Sequence, residues 1–215
     1  MQGVRGEGQE DQVNYPLAIQ VPGHPSKVYS EKNSGVGVIL HSMEGYWSYA
    51  NDEVQDAQIP LSWHFSVLKN GVVEQHYPLS ASCWHAGNKQ ANTTLIGIEH
   101  EGVKGEPLTE AQVQSSLLLV RWVAAQQGWE MERGVTMFEH NEINPKTTCP
   151  NGRIPWERYT DTVEVAKIFN APAIAAVKEI VQAVGGQNGE FIGKITSGYP
   201  VPSGYTAYLV VSKDG

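Results

Sequence analysis

An apolar segment, Val36-Gly37-Val38-Ile39-Leu40-His41, lies near the start of this 215-residue chain. A short, nearly unbroken apolar run is typical of a strand that is buried inside a sheet. The run ends at a histidine, and a buried strand that ends in a polar side chain presents that side chain at the sheet edge. We therefore predict a strand over residues 36–40 and regard His41 as a candidate ligand, although a single histidine is more often structural.

Further strands and helices are predicted along the rest of the chain. The tight turn Lys69-Asn70-Gly71 predicts a hairpin with strands at residues 63–68 and 72–76. The clearest helix is predicted over residues 109–127, with Thr109 as its N-cap. The other predicted elements are strands at residues 18–21, 95–100 and 135–138 and helices at residues 46–58, 155–169 and 171–184.

The chain is predicted to have three parts. Residues 1–17 are a polar, glycine-rich N-terminal extension, and residues 18–170 form the main domain. Residues 171–215 add a helix and a small hairpin at residues 191–195 and 206–212. The hairpin tail of about 30 residues does not easily bury a core of its own. It is either an extension docked on the main domain or the start of a lost module.

The composition argues against several functional classes. The net charge of −8 argues against a nucleic-acid-binding protein, which shows a basic face. No apolar run is long enough to cross a bilayer, so membrane insertion is not expected. The start of the chain lacks the basic and apolar regions of a secretory signal, so we expect no signal peptide.

The two cysteines, Cys83 and Cys149, are predicted to be separate thiols. A single disulfide is a poor explanation for a chain of this size without a secretion signal. Cys83 is expected to be a small buried residue. Cys149 lies in a polar loop and is followed by Pro150, which is not the setting of a core cysteine.

A candidate metal site combines His41 with the segment His140-Asn141-Glu142-Ile143-Asn144-Pro145-Lys146-Thr147-Thr148-Cys149-Pro150. His140 follows a short apolar strand, and Cys149 lies in the same loop. Two imidazoles and one thiolate are donors that zinc favours, and three protein ligands leave a fourth position open, as in catalytic zinc sites. The residues therefore predict a Zn²⁺ ion held by His41, His140 and Cys149.

Two further residues are candidates for catalysis. Glu99 should point to the opposite strand face from Ile96 and Ile98. Beside a metal site it would take a proton from water and pass it to a leaving nitrogen. Lys146 precedes Cys149 on the same loop and would stabilise a tetrahedral oxyanion. The alternatives are a solvated acid at a strand end and an ordinary surface lysine.

Four aromatic or imidazole side chains are predicted to bind substrate. Trp84 and His85 offer stacking and hydrogen bonds to a sugar or peptide, although a packed aromatic loop is an equal alternative. Trp63 and His64 open a hairpin strand and should face opposite sides of it. The residues alone leave open which of these two faces the site.

Five segments, taken in order, resemble one known family. They are VILHSMEG at residues 38–45, WHFSVLKNG at 63–71, CWHAGN at 83–88, IGIEHEG at 96–102 and EHNEINPKTTCP at 139–150. They are similar to the type 2 N-acetylmuramoyl-L-alanine amidases, a superfamily that includes phage lysozyme-amidases and animal peptidoglycan recognition proteins. The resemblance covers about residues 18–169 and is most specific in IGIE and the histidine–lysine–cysteine loop.

The resemblance implies an α/β fold with a central mixed β-sheet flanked by helices. It implies that His41, His140 and Cys149 are zinc ligands. Glu99 matches the carboxylate that some branches use for proton transfer, and Lys146 matches the lysine before the last ligand. The implied reaction is hydrolysis of the amide bond between the lactyl group of N-acetylmuramic acid and L-alanine in bacterial peptidoglycan.

Two departures from the family pattern bear on mechanism. Several phage relatives carry a catalytic tyrosine where Trp63 stands, and an indole cannot transfer a proton at neutral pH, so Glu99 should carry that task. The interval from Lys146 to Cys149 is one residue longer than in some relatives, which leaves the reach of the lysine open.

The leading hypothesis is a bacteriolytic phage endolysin, a monomer that stays in the host cytoplasm until release and then degrades the cell wall. A cytoplasmic amidase that recycles small anhydro-muropeptides fits the same residues. A non-catalytic peptidoglycan-binding module is a weaker alternative, because such members lack the cysteine ligand. A glycosidase is weaker still, because no second carboxylate stands at a matching position.

Overall fold

The computed structural model of the protein describes residues 13–160 and the backbone of β9 (Ile192–Lys194) and β10 (Tyr208–Val210). The chain divides into two compact units, Met1–Ile168 and Phe169–Gly215. In the second unit β9 and β10 pair antiparallel, where the sequence predicts a hairpin. The predicted helix at 171–184 lies outside the described residues, as does most of the predicted N-terminal extension.

The first unit is built on a six-stranded mixed sheet, which confirms the predicted α/β fold class. Its strand order is β1-β5-β4-β7-β3-β8, and all neighbours are parallel except β4 and β5, which form the predicted hairpin. The elements of this unit are β1 (Ala18–Gln20), β2 (Val28–Tyr29), β3 (Gly37–Ser42), α1 (Trp47–Gln55), β4 (Phe65–Val67), β5 (Val73–Gln75), β6 (Ser82–Cys83), α2 (Lys89–Thr94), β7 (Leu95–His100), α3 (Glu110–Gln127), β8 (Met137–Glu139), α4 (His140–Ile143) and α5 (Trp156–Thr160).

The two central strands, β3 and β7, divide their side chains between two faces of the sheet. Val38 pairs with Ile96, and Leu40 pairs with Ile98. These four residues belong to the largest core cluster, which also contains most of the buried apolar residues of α3. Because successive side chains of a strand alternate, Ile39 points to the other face, where it packs in a cluster with residues of α2.

The long helix α3 forms as its sequence predicts. Thr109 caps it, because its hydroxyl accepts a hydrogen bond from the N–H of Gln112 while the Gln112 side chain accepts one from Thr109 N–H. Gly128 ends it in a left-handed conformation with φ of 75°. Among the described residues, no helix is long and apolar enough to cross a membrane.

The shorter elements were harder to predict. Helix α2 has six residues, five of which are polar, and its start is fixed locally by Asn88, whose side chain accepts a hydrogen bond from Ala91 N–H. Strands β2 and β6 are two residues long and exist because they pair with each other. Segments this short lack a measurable periodicity, so the sequence does not predict them.

The face opposite α3 contains a layer of buried polar groups. Trp63 Nε1–H donates to Ser66 Oγ at 2.8 Å, and the Ser66 hydroxyl lies 2.8 Å from His76 Nε2. His76 Nδ1–H donates to Val21 O at 2.8 Å. Both nitrogens of the His76 ring are therefore occupied while the imidazole is neutral, and burial lowers its pKa to about 4.

This buried histidine makes stability depend on pH. In the unfolded chain an imidazole binds a proton below about pH 6.5, whereas folded His76 stays neutral down to about pH 4. The free energy of unfolding therefore falls as pH drops from about 6.5 to 4, by an amount of the order of 1–3 kcal/mol from this residue. We expect His76→Gln to remove this contribution, so that urea unfolding at pH 7.5 and 4.5 shows a smaller difference than the wild type. An unchanged difference would contradict the assignment.

Candidate metal centre and active-site cavity

The pairing of two parallel strands brings His41 and Glu99 side by side. His41 lies near the end of β3, and its register partner in β7 is Glu99. Both side chains point to the face opposite α3, as predicted for Glu99 from the alternation with Ile96 and Ile98. His41 Nδ1 lies 3.8 Å from Glu99 Oε1.

His140 and Cys149 enter the site from the segment that follows β8. Helix α4 begins at His140, and the N–H of Asn141 donates to Cys149 O at 2.9 Å, which closes the loop between them. The N–H of Ser42 donates to Cys149 Sγ at 3.2 Å and ties the thiol to the end of β3. The ligand atoms of His41, His140 and Cys149 all lie within 4.8 Å of one another, so the three side chains form a group that can hold a metal ion.

A hydrogen-bond relay determines which nitrogen of His41 faces this group. His85 Nε2 lies 3.2 Å from Leu95 O, and because a carbonyl only accepts, this nitrogen carries the proton of neutral His85. His85 Nδ1 then accepts from His41 Nε2–H at 3.1 Å. The lone pair of His41 is therefore on Nδ1, which lies 3.8 Å from Cys149 Sγ. Burial lowers the pKa of His85 to about 3, so it stays neutral.

The position of His85 depends on a glycine. A Cβ atom at Gly97 would lie 2.6 Å from Cγ of His85, so a side chain there would push the ring away from the sheet. Gly97 lies between Ile96 and Ile98 in β7. Because side chains alternate along a strand, a side chain at this position would point to the site face. The small residue is therefore required by a close approach within the site.

Two observations fit a cation at this group. His140 Nε2 is buried and has no hydrogen-bond partner among the described residues. Burial, with a smaller contribution from the charge of Glu99, raises the pKa of the Cys149 thiol to about 12, so without a cation the thiol keeps its proton. An unpaired buried imidazole is unfavourable, and a bound cation would both pair with that nitrogen and stabilise the thiolate.

Glu99 has the environment of a proton carrier. Its pKa is raised to about 8, mainly by burial and to a smaller extent by the charges of Glu53 and Glu44, which outweigh the opposing charge of Arg153. Its Oε2 is buried and has no hydrogen-bond partner within the described part of the chain. A carboxyl group whose pKa lies near the working pH can both accept and donate a proton.

The site opens into a cavity of about 510 Å³. Aromatic side chains, carboxylates and two of the three candidate ligands, His140 and Cys149, share its walls. The lining residues are Ser42, Met43, Glu44, Gly45, Tyr46, Ala50, Glu53, Leu61, Trp63, Trp84, His85, Glu99, His140, Thr147 and Cys149. A cavity of this size, mostly apolar with a few convergent polar groups, is typical of a ligand-binding site.

The four residues predicted to bind substrate have different positions. Trp63, Trp84 and His85 line the cavity, and their contact with a substrate stays a prediction. His64 is fully buried and does not line the cavity. Its Nδ1 accepts from the N–H of Gly97 at 3.0 Å, and its Nε2–H donates to Ala81 O. The prediction that His64 contacts substrate is therefore wrong, because both ring nitrogens serve the interior of the sheet.

Lys146 stands apart from the other predicted catalytic residues. It is exposed, and it does not line the cavity, although Thr147 next to it does. Its backbone N–H donates to Asn144 Oδ1 at 3.2 Å, which shapes the loop before Cys149. Its role at an oxyanion stays a prediction.

Sequence reasoning missed two carboxylates and one guanidinium. Glu44 and Glu53 line the cavity, and Arg153 lies behind it. Glu44 has a positive φ of 49°, and its carboxylate accepts hydrogen bonds from Ser42 Oγ and Asn151 Nδ2, both at 2.7 Å. No sequence signal singles these residues out, because their partners are distant in the chain or their spacing matches no motif.

Comparison with known proteins gives a family for the chain. A family model described as N-acetylmuramoyl-L-alanine amidase matches residues 32–152. The chain is 29% identical over 119 residues to N-acetylmuramoyl-L-alanine amidase A of Achromobacter lyticus, covering 54% of this chain and 66% of that protein. It is 29% identical over 114 residues to 1,6-anhydro-N-acetylmuramyl-L-alanine amidase AmpD of Haemophilus influenzae, covering 50% and 61%. The chain thus spans less than two thirds of the length of these relatives.

Solved structures show the same fold. An AmpD derivative superposes with a TM-score of 0.56 at 20% identity, covering 69% of this chain and 96% of that one. The endolysin N-acetylmuramoyl-L-alanine amidase LysCS from Clostridium intestinale superposes with a TM-score of 0.51 at 18% identity, covering 68% and 94%. At these identities the likeness concerns the fold alone.

The relay through His85 predicts the tautomer of His41. In the metal-free protein at pH 7, ¹H–¹⁵N NMR of the imidazoles should show His41 with its proton on Nε2. We expect His85→Phe to abolish this preference because it removes the acceptor, whereas His85→Gln should keep it because the amide oxygen can accept. A His41 that carries its proton on Nδ1 in the wild type would contradict the relay.

Proposed function

Because the chain belongs to the N-acetylmuramoyl-L-alanine amidase family, we propose that it hydrolyses the amide bond between N-acetylmuramic acid and L-alanine in peptidoglycan. The observation that carries the proposal is the convergence of His41, His140 and Cys149 within 4.8 Å, beside Glu99 and at the wall of a cavity. The curated relatives, which are named as amidases of this linkage, support it.

We propose that zinc is the metal. The donor set of two imidazole nitrogens and one thiolate suits zinc, and three protein ligands leave a position for water or substrate. His41 would bind through Nδ1, since its Nε2–H is donated to His85. His140 would bind through the otherwise unpaired Nε2. When bound, zinc would supply Lewis acidity for the scissile carbonyl and lower the pKa of water at the open position.

In this proposal Glu99 moves the proton. Its Oε2, which lacks a partner within the described residues, would accept the proton of the attacking water. The same carboxyl group would then donate that proton to the nitrogen of the departing L-alanine. Trp63 stands where several phage relatives have tyrosine, and its indole N–H is already donated to Ser66, so Trp63 would shape the cavity rather than transfer a proton.

The cavity wall supplies the proposed substrate contacts. Trp84 lines the cavity and its Nε1 has no hydrogen-bond partner among residues 13–160, which supports a hydrogen bond from Trp84 to a substrate oxygen. His85 would contact substrate only through ring carbons at the cavity wall, because both of its nitrogens serve the relay. Lys146 would approach the oxyanion from the exposed loop next to Thr147, which lines the cavity.

Two biological roles fit this activity. The first is lysis of cell walls by a phage enzyme, the role expected from the sequence, and an endolysin amidase shares the fold of this chain. The likeness in sequence to amidases named for 1,6-anhydro-N-acetylmuramyl-L-alanine supports the recycling of small wall fragments. The presence of Cys149 favours either enzyme over a non-catalytic binding module.

The proposal predicts different defects for the metal ligands and for the proton carrier. Cys149→Ala should lose both zinc and activity, because one of three protein ligands is removed. Glu99→Gln should keep zinc, because it is not a ligand, while kcat falls by about 10²–10⁴-fold for lack of a general acid–base. The measurements are metal content by atomic spectroscopy and the rate of amide hydrolysis. Activity that survives thorough chelation, or a Glu99→Gln variant with full rate, would contradict the mechanism.

The products and substrates distinguish the remaining alternatives. We expect digestion of peptidoglycan to release new alanine amino groups and no new reducing ends, because the bond cleaved is an amide. New reducing ends would indicate a glycosidase, and binding to cell walls without release would indicate a binding module. Hydrolysis of intact sacculi supports the endolysin role, whereas activity on soluble anhydro-muropeptides alone supports recycling.

A further inference from the structure

Arg153 lies behind the candidate metal centre and joins three chain segments. It is 5% exposed, and its guanidinium donates four hydrogen bonds. Nη1 donates to Ser42 Oγ at 2.7 Å and to His100 O at 3.1 Å. Nη2 donates to Glu101 O at 2.8 Å, and Nε donates to Glu106 O at 2.7 Å. The planar fork of a guanidinium therefore holds the ends of β3 and β7 and the following loop together.

These segments carry the functional side chains. His41 immediately precedes Ser42, and the backbone N–H of Ser42 donates to Cys149 Sγ. Glu99 immediately precedes His100. Arg153 thus contacts the strand ends one residue away from both His41 and Glu99.

Arg153 also belongs to the loop that supplies the thiol. It lies four positions after Cys149, and its N–H donates to Pro150 O at 3.2 Å. The guanidinium consequently connects the cysteine loop to the strand that supplies His41. The Ser42 hydroxyl, which accepts from Arg153, donates in turn to Glu44 Oε1, and Glu44 accepts from Asn151 in the same loop.

A glycine makes room for this contact. A Cβ atom at Gly102 would lie 2.3 Å from Arg153 Nη2, so a side chain at Gly102 would displace the guanidinium. Gly102 has a φ of +121°. Gly105 also has a positive φ, of +87°, but a Cβ atom there would meet nothing within 4 Å, so the two glycines differ in their contact with Arg153.

We propose that Arg153 is a positioning residue that holds Cys149 and His41 at the separation a metal ion requires. The inference rests on the proposed zinc-dependent function. Arg153 is neither a candidate ligand nor a residue that lines the cavity, and it acts through Ser42 and the strand ends. Residues that orient metal ligands from behind typically contribute about 10–100-fold to metal affinity.

The test measures metal binding rather than activity. In the full 215-residue chain, Arg153→Met should weaken zinc affinity by about 10–100-fold in competition with a chromophoric chelator. Arg153→Lys should fall in the same range, because an ammonium on a flexible stem cannot reproduce the four bonds of the fork. In the cobalt-substituted protein the thiolate-to-cobalt charge-transfer band should weaken or shift, since the cysteine is no longer held in place. Arg158→Met, which removes an arginine paired with Glu110, is the matched control and should keep both properties.

A second pair of variants keeps the test informative if the loss of Arg153 prevents folding. Gly102→Ala retains the arginine but displaces it, whereas Gly105→Ala also places an alanine at a positive φ but makes no contact with Arg153. We expect Gly102→Ala to bind zinc more weakly than Gly105→Ala, with similar far-ultraviolet circular dichroism for both metal-free proteins.

The outcomes separate this inference from the proposed function. Equal zinc affinity and cobalt spectra in the wild type, the folded Arg153 variants and Gly102→Ala would overturn the positioning role while the zinc amidase proposal stands. A wild-type protein that binds no zinc would overturn both. Weakened affinity with an unchanged cobalt spectrum would also overturn the inference, because the thiol would then be held by other contacts.

Discussion

The parallel pairing of β3 with β7 is the constraint on which both the core and the site depend. In this register Val38 and Leu40 lie beside Ile96 and Ile98 and bury their side chains under α3. A slip of one residue would turn these side chains to the opposite face, which the burial of apolar surface strongly opposes. The same register sets His41 beside Glu99 on the other face. The hydrophobic effect acting on one face of the sheet therefore holds the geometry of the candidate site on the other.

The site face buries several polar groups, and their hydrogen bonds differ from one residue to the next. His64 and His76 have hydrogen-bond partners for both ring nitrogens, as expected for buried polar groups. His140 lacks a partner for Nε2 within the described residues, and so does Glu99 for Oε2. Unpaired atoms of this kind are costly inside a protein unless a ligand, water or ion completes them. Two of the unpaired buried atoms in the described part of the chain therefore lie where chemistry is proposed to occur.

The cysteine loop adds a contact between parts of the chain that are far apart in sequence. Ser42 and Cys149 are 107 positions apart, yet a hydrogen bond joins them. Arg153 reinforces this junction from behind with bonds to the ends of two strands. Ordering a ligand side chain costs conformational entropy, and without cross-links the binding of the ion alone would have to offset that cost. A metal site assembled from a strand end and a distant loop therefore needs contacts of this kind.

Much of this protein was determined by its sequence. The apolar run at residues 36–40, the alternation in β7, the turn before β5 and the cap at Thr109 act locally, so they predicted the central strands, the hairpin and the helix α3. The donor types at His41, His140 and Cys149, together with the family resemblance, indicated the metal group. The burial of His64, the relay through His85 and the bridging by Arg153 were decided only by the tertiary structure. These features depend on which distant backbone atoms surround a side chain, and that information arises only when the sheet has formed.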